Sequence, residues 1–204
     1  MDRRTTPGSA PPGRVKIADA LKTLLAEKEF TAITTAEIAQ TAGVTEGLIY
    51  KYFKDKRDLL HQVLAEYLDF FVSRGEQDIR GIEGALNKLR RLIWFHVDMY
   101  AGNRVFSRIL LLEVRNFPDY FNSDAYRMVK RYAALVMSIV EEGVARGEIR
   151  SDVPPTAMRQ FILGAIEHAC LPGVIFHREI PVDEVTEHLY TLICRGVERG
   201  EKGS

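Results

Sequence analysis

The residues whose types and spacing could do chemistry cluster between Thr45 and Lys56. On a helix, Glu46, Gly47, Tyr50 and Lys51 share one broad face, while Ile49 and Phe53 fall opposite and must pack inward. Gly47 lets a partner surface come close. Tyr50 and Tyr52 offer hydroxyls to phosphates or base edges, and ring faces to a sugar or a thymine methyl. Lys51, Lys54 and Lys56 supply charge for phosphates. This is the equipment of a short helix that reads the major groove of DNA. Glu46 is discordant, because a carboxylate repels phosphate. It either accepts from a cytosine amine or points aside, and the second reading is preferred. The plainer use of the segment is an ordinary helix end with solvated lysines, and Phe53 belongs to a core on any reading.

A second constellation, Glu167, His168 and Cys170, has the residue types for nucleophilic or metal chemistry. Adjacent helix positions diverge by about 100°, and no third ligand stands at a sensible spacing. No enzyme activity, metal or cofactor is therefore expected. Cys170 and Cys194 are far apart and match no metal-ligand spacing, which suggests reduced, buried thiols in a cytoplasmic protein. The N-terminus lacks the apolar stretch of a signal peptide, and no apolar run is long enough to span a membrane.

The elements that must position these residues follow from periodicity. In 204 residues, 46% hydrophobic and 27% charged, there is ample material for a core. Net charge is zero, which argues against a chain that coats nucleic acid over its whole surface. Residues 1–60 hold 10 Lys and Arg against 8 Asp and Glu, and the remainder 18 against 20, as suits a small DNA-facing part on a neutral body. Residues 1–13 read as a disordered arm, within which Arg3 and Arg4 are a solvated tail or a minor-groove contact. Val15, Ile17, Ala18, Leu21, Leu24 and Leu25 place a helix over 14–28. Thr34 or Thr35 caps the next helix, with Glu37 near a capping box, and Gly43 ends it in the left-handed region. Thr45 caps the reading helix. A fourth helix starts near Lys56 and runs through Phe71 as a rigid link. Later helices are expected at 83–101, 104–115, 122–147, 155–171 and 181–199, with breaks that include Pro172-Gly173. The fold expected is all-α, with about nine helices. It divides into a helix-turn-helix domain over 14–55 and a larger ligand-binding and dimerisation domain over 56–204.

The stretch Thr34–Lys56 resembles the DNA-binding signature of the TetR family of transcriptional regulators. The Ile38-Ala39-x-x-Ala42-Gly43-Val44 core, Tyr50-x-Tyr52-Phe53 and the Lys56-x-x-Leu59-Leu60 that follows all stand at family spacing. The resemblance covers about residues 14–62. It implies that Thr35, Thr45, Gly47, Tyr50, Tyr52 and Lys56 touch DNA. With Glu46, Leu48 and Lys51 these form the expected contact set. Glu46 departs from the family, which often carries Lys, Arg or a small residue there, and the departure bears on base specificity rather than on the fold. The segment Leu111–Ser123 resembles members that sense fatty acyl-CoA thioesters.

The resemblance also implies a homodimer through the last two long helices. Apolar stripes agree with it, and the expected interface is Phe161, Ala165, Ile166, Val185, Leu189 and Leu192, with Gly164 allowing close approach. The plainer reading is that the stripes complete the chain's own core. A sensor needs a cavity, and Trp94, His96, Tyr100, Phe106, Leu110, Tyr126, Phe161 and His168 are its expected lining. Arg104, Arg108, Glu113, Arg115 and Glu167 are further polar groups of that region, any of which could orient a ligand but is more often a surface or satisfied core residue. The function expected is a ligand-responsive repressor. As a homodimer it would bind a palindromic double-stranded DNA operator and be released by a small apolar or amphipathic effector. The alternative is a helical-bundle protein-interaction module without DNA binding.

Overall fold

The computed structural model describes residues 10–197. Arg3, Arg4 and most of the expected arm lie outside them, as do residues 198 and 199 of the last expected helix. Among the described residues there are nine α-helices and no strand: α1 Pro12–Glu27, α2 Thr35–Ala42, α3 Glu46–Tyr52, α4 Lys56–Asp78, α5 Ala85–Gly102, α6 Arg104–Arg108, α7 Asp124–Arg146, α8 Pro155–Ile175 and α9 Val182–Val197. The fold is all-α. The chain divides after Leu64, inside α4, into two compact units.

The first unit closes on one small core. Ile17, Leu21 and Leu25 of α1, Ile38 of α2, Ile49 of α3 and Phe53 are buried together with Phe30 and Ile33. Local chemistry sets the elements around it. Thr34 accepts from the Glu37 backbone N–H at 3.2 Å, and the Glu37 carboxylate accepts from the Thr34 N–H at 2.8 Å, so α2 opens on a full capping box. Gly43, at φ 65°, ends α2 where a side chain would be strained. Thr45 occupies the N-cap of α3, but its side chain makes no capping bond. That differs from expectation. The hydroxyl is left exposed rather than spent on the helix end.

In the second unit α5 packs against α7, α8 and α9. Gly143 of α7 allows a close approach: a Cβ there would lie 2.8 Å from the Ala85 Cβ and 2.5 Å from Ile149 Cδ1. The Glu148 carboxylate accepts from the Ala85 N–H at 2.6 Å, a side-chain cap for α5. Two boundaries differ from the sequence reading. The helix expected over 104–115 stops at Arg108, and residues 109–122 continue as a π-helical turn followed by short 3-10 turns. Pro118 explains part of this, since it holds Phe117 extended at φ −106°, ψ 113°. Conversely, α8 does not break at Pro172. Burial of Gly173 and Val174 holds the last turn, and the Pro172 carbonyl still accepts from the Phe176 N–H at 2.9 Å.

Candidate nucleic-acid interface and effector cavity

The exposed face of α3 presents Glu46, Gly47, Tyr50 and Lys51, while Ile49 is fully buried. Tyr50 is 55% exposed, a large aromatic without cover. No atom would lie within 4 Å of a Cβ at Gly47, so space stands open beside it. Leu48 and Tyr52 are half-buried, and both approach Gly13 of α1. Lys51 lies 5.9 Å from the Tyr52 ring centre and is exposed, as is Lys54.

Two members of the expected set are already engaged. Thr35 donates its hydroxyl to the Glu46 carboxylate at 3.0 Å, so Glu46 is drawn back toward the start of α2. Lys56 was expected to meet a phosphate. Instead its ammonium donates to the carbonyls of Phe30 at 2.9 Å and Ile33 at 2.5 Å, and lies 4.5 Å over the Phe30 ring. Burial lowers its pKa from the ordinary lysine value. Lys56 ties the 3-10 turn Phe30–Ala32 to the start of α4, and few of its donors remain for DNA. Sequence could not show this, because the carbonyls lie more than twenty residues upstream. The start of α4 is capped within the chain as well, where Asp55 accepts from the Asp58 N–H at 2.8 Å.

A cavity of about 340 Å³ opens in the second unit. Leu68, Phe71 and Val72 of α4 form one wall, and His96, Met99 and Tyr100 of α5 another. Leu110, Arg115, Tyr120 and Phe121 reach it from the irregular segment, Tyr126, Met128, Val129 and Tyr132 from α7, and Leu163 and Glu167 from α8. Of the expected lining, His96, Tyr100, Leu110 and Tyr126 are there. Trp94, Phe106, Phe161 and His168 are not. Trp94 turns away to donate its indole N–H to Asp183 at 2.8 Å. Phe106 is buried against Tyr67, with ring centres 4.5 Å apart. Phe161 and His168 lie on the exposed side of α8. The α4 residues of the wall, and those of α7 other than Tyr126, were missed. Met128, Val129 and Tyr132 recur at the helical interval that could have shown them.

Charge in the cavity is confined to one pair. Arg115 donates through both terminal nitrogens to the two Glu167 carboxylate oxygens, at 2.6 and 2.8 Å. This bidentate bond raises the Arg115 pKa. Deeper in the wall the polar groups are neutral. Burial lowers the His96 pKa to about 4, against a smaller opposing pull from Glu167. Burial likewise raises the Tyr132 hydroxyl, and His96 Nδ1 and the Tyr132 oxygen have no hydrogen-bond partner.

Glu167, His168 and Cys170 do not form a reactive centre. Glu167 faces the cavity, His168 is exposed, and Cys170 is fully buried with its thiol pushed up to about 12 by desolvation. The expected dimer residues also separate. Ile166 and Leu189 are buried in the chain's own core, whereas Phe161 at 54% and Leu192 at 66% are exposed. Ala165 and Val185 are intermediate.

A short, exposed reading helix on a three-helix core, followed by a hollow helical unit, defines a class: helix-turn-helix regulators with a ligand-binding body. Residues 17–63 match the family described as bacterial regulatory proteins, tetR family, and residues 64–196 match the YsiA-like protein, C-terminal region. The chain belongs to the TetR family; it is a ligand-responsive, DNA-binding transcriptional regulator and not an enzyme. It is 28% identical over 186 residues to the fatty acid metabolism regulator protein of Bacillus subtilis (strain 168), covering 91% of this chain and 96% of that one. It is 26% identical over 158 residues to the HTH-type transcriptional repressor KstR2 of Mycolicibacterium smegmatis, covering 77% of each. Among solved structures, the transcriptional regulator FadR from Bacillus subtilis in complex with stearoyl-CoA superposes with a TM-score of 0.81 at 28% identity, over 90% of this chain and 99% of that one.

Proposed function

We propose that the chain is a cytoplasmic repressor that binds a palindromic operator as a homodimer and is released when a fatty acyl-CoA thioester enters the cavity. The observation that carries this reading is the cavity wall on α4. Leu68, Phe71 and Val72 line the cavity, and the same unbroken helix begins at Lys56, four residues after α3 ends. A ligand that displaces this wall acts on the helix that follows the reading head. To switch an operator off, it must favour the non-binding state by several kcal/mol. The apolar lining suits an acyl chain, and the similar regulator from Bacillus subtilis was solved with stearoyl-CoA. The functional division is then a DNA-binding domain over 14–55 and an effector and dimer domain over 56–204.

DNA contact falls to Tyr50, Lys51, Gly47, Thr45 and Tyr52, with Leu48 supporting the helix. Thr35 and Glu46 act as a hydrogen-bonded unit, and Lys56 positions rather than touches. The dimer reading is supported by an uncovered apolar stripe. Phe161, Gly164, Pro172 and Ile175 recur along one exposed side of α8, Phe176 follows at its C-cap, and Leu192 is exposed on α9.

Gel-shift titration with DNA flanking the gene tests the whole reading. The chain should bind as a dimer and release on adding stearoyl-CoA. Tyr50→Ala should weaken binding roughly tenfold to a hundredfold, about 1–3 kcal/mol, with the dimer intact by sedimentation. Binding that stearoyl-CoA leaves untouched would remove the effector assignment.

A further inference from the structure

The one charged pair in the cavity bears on which form of an acyl chain can enter. Among the described residues that line it, Arg115 is the single cation and Glu167 the single acid. They lie on different elements, the irregular segment and α8, and meet in a two-pronged bond at 2.6 and 2.8 Å. The guanidinium side is 44% exposed and the carboxylate side 34%, so the pair stands where the cavity meets solvent. Farther in, the remaining polar side chains carry no charge at neutral pH. His96 is a neutral imidazole, and Tyr100, Tyr120 and Tyr132 are protonated phenols.

We propose that Glu167 makes the cavity select neutral acyl thioesters against free fatty acids, by occupying the one guanidinium among the described lining residues. The proposal rests on the acyl-CoA reading above and deepens it. A carboxylate taken from water into an apolar site needs an unpaired cation or several donors. Here each terminal nitrogen of Arg115 already donates to Glu167, whose charge balances the guanidinium. An entering carboxylate would have to expel Glu167 or lie beside it as a second negative charge. A thioester carbonyl carries no net charge and asks for only one donor, so Glu167 costs it nothing. Glu167 is thus a specificity residue that works by repulsion and by prior occupation.

The test compares two probes with the same chain on the full-length protein, palmitate and S-palmitoyl-N-acetylcysteamine. The second is a neutral thioester without the nucleotide, so contacts to the rest of coenzyme A do not enter the comparison. Wild type should bind the thioester at least roughly tenfold more tightly. Glu167→Gln removes the charge, keeps the side chain's size, and leaves Arg115 to pair with a ligand. It should raise palmitate affinity about tenfold and change thioester affinity less than threefold. Adding Arg115→Gln should abolish the gain. Because the pair is half-exposed, both variants should fold, and thermal unfolding of the unliganded protein checks it. Equal binding of the two probes by wild type, or no gain for palmitate in Glu167→Gln, overturns the proposal while the acyl-CoA reading stands. Failure of wild type to bind either the thioester or stearoyl-CoA overturns both.

Discussion

The two units solve opposite problems. The first is closely buried: Phe30, Ile33, Ile38, Ile49 and Phe53 are each at most 2% exposed, and side chains are spent on caps and clamps. The second is hollow: it keeps a void of about 340 Å³, lined by tyrosines, methionines and an imidazole with an unpartnered nitrogen. The difference teaches where each unit holds its free energy. A reading head must keep one geometry, so Thr34, Glu37 and Lys56 are spent on hydrogen bonds that fix its elements. A sensor must gain something when its ligand arrives, and His96 Nδ1 and the Tyr132 oxygen stand in its wall without a hydrogen-bond partner.

The largest effect that breaks the comparison is a cavity made in the buried core of the first unit. Phe53→Ala should cost about 3–5 kcal/mol, since the packed first unit has nothing to fill the hole. Leu68→Ala, on the wall of the existing void, should cost only about 2 kcal/mol, because that side chain already lacks neighbours on one side. Urea unfolding of the two variants measures both. Equal costs would mean that the void is filled in solution.

The next effect is acid sensitivity in the hollow unit. His96 titrates near 4 in the folded chain because burial disfavours its charged form, against about 6.5 unfolded. The unfolded chain therefore binds the extra proton first. Stability is unaffected above pH 6.5, falls as pH drops from 6.5 to 4, and then levels, for a loss of up to about 3 kcal/mol. Thermal melts between pH 7 and 4 should show this slope, and His96→Leu should flatten it. An unchanged slope in that variant would assign the acid sensitivity elsewhere.

Legibility followed the same contrast. The first unit could be read because its signals are local. Thr34 and Glu37 stand three apart, Gly43 ends α2, and one short helix buries Ile49 while it exposes Tyr50. Lys56 escaped because its partners, the carbonyls of Phe30 and Ile33, are set by tertiary folding. In the second unit the helices were legible and the cavity was half so. Whether an apolar side chain fills space or borders a void depends on how neighbouring helices turn, which periodicity does not encode. Phe161 and Leu163 illustrate this. They are two positions apart on α8, yet only Leu163 lines the cavity while Phe161 is exposed. α4 was read as a link, and its inner face at Leu68, Phe71 and Val72 was overlooked for that reason.

The smallest expected effect lies in the first unit and has a different pH window. Glu37 is held at about 2 by its hydrogen bond to Lys28, at 2.6 Å, and then by the N–H and hydroxyl of Thr34. A carboxyl lowered on folding stabilises above its unfolded value near 4.5, and the contribution disappears as pH falls toward 2. The group lies at the surface, so solvent and salt screen the pair and the loss should be small. Helicity of the reading head should therefore hold between pH 7 and 5, where His96 already weakens the other unit, and decline only below 4.5. Glu37→Gln should shift the onset of that decline and leave the slope between 6.5 and 4 untouched, because the two titrations belong to separate units. Circular dichroism of the wild type and the two single variants over pH 7 to 2 separates them. A single shared transition, moved equally by Glu37→Gln and His96→Leu, would mean that the two units unfold as one.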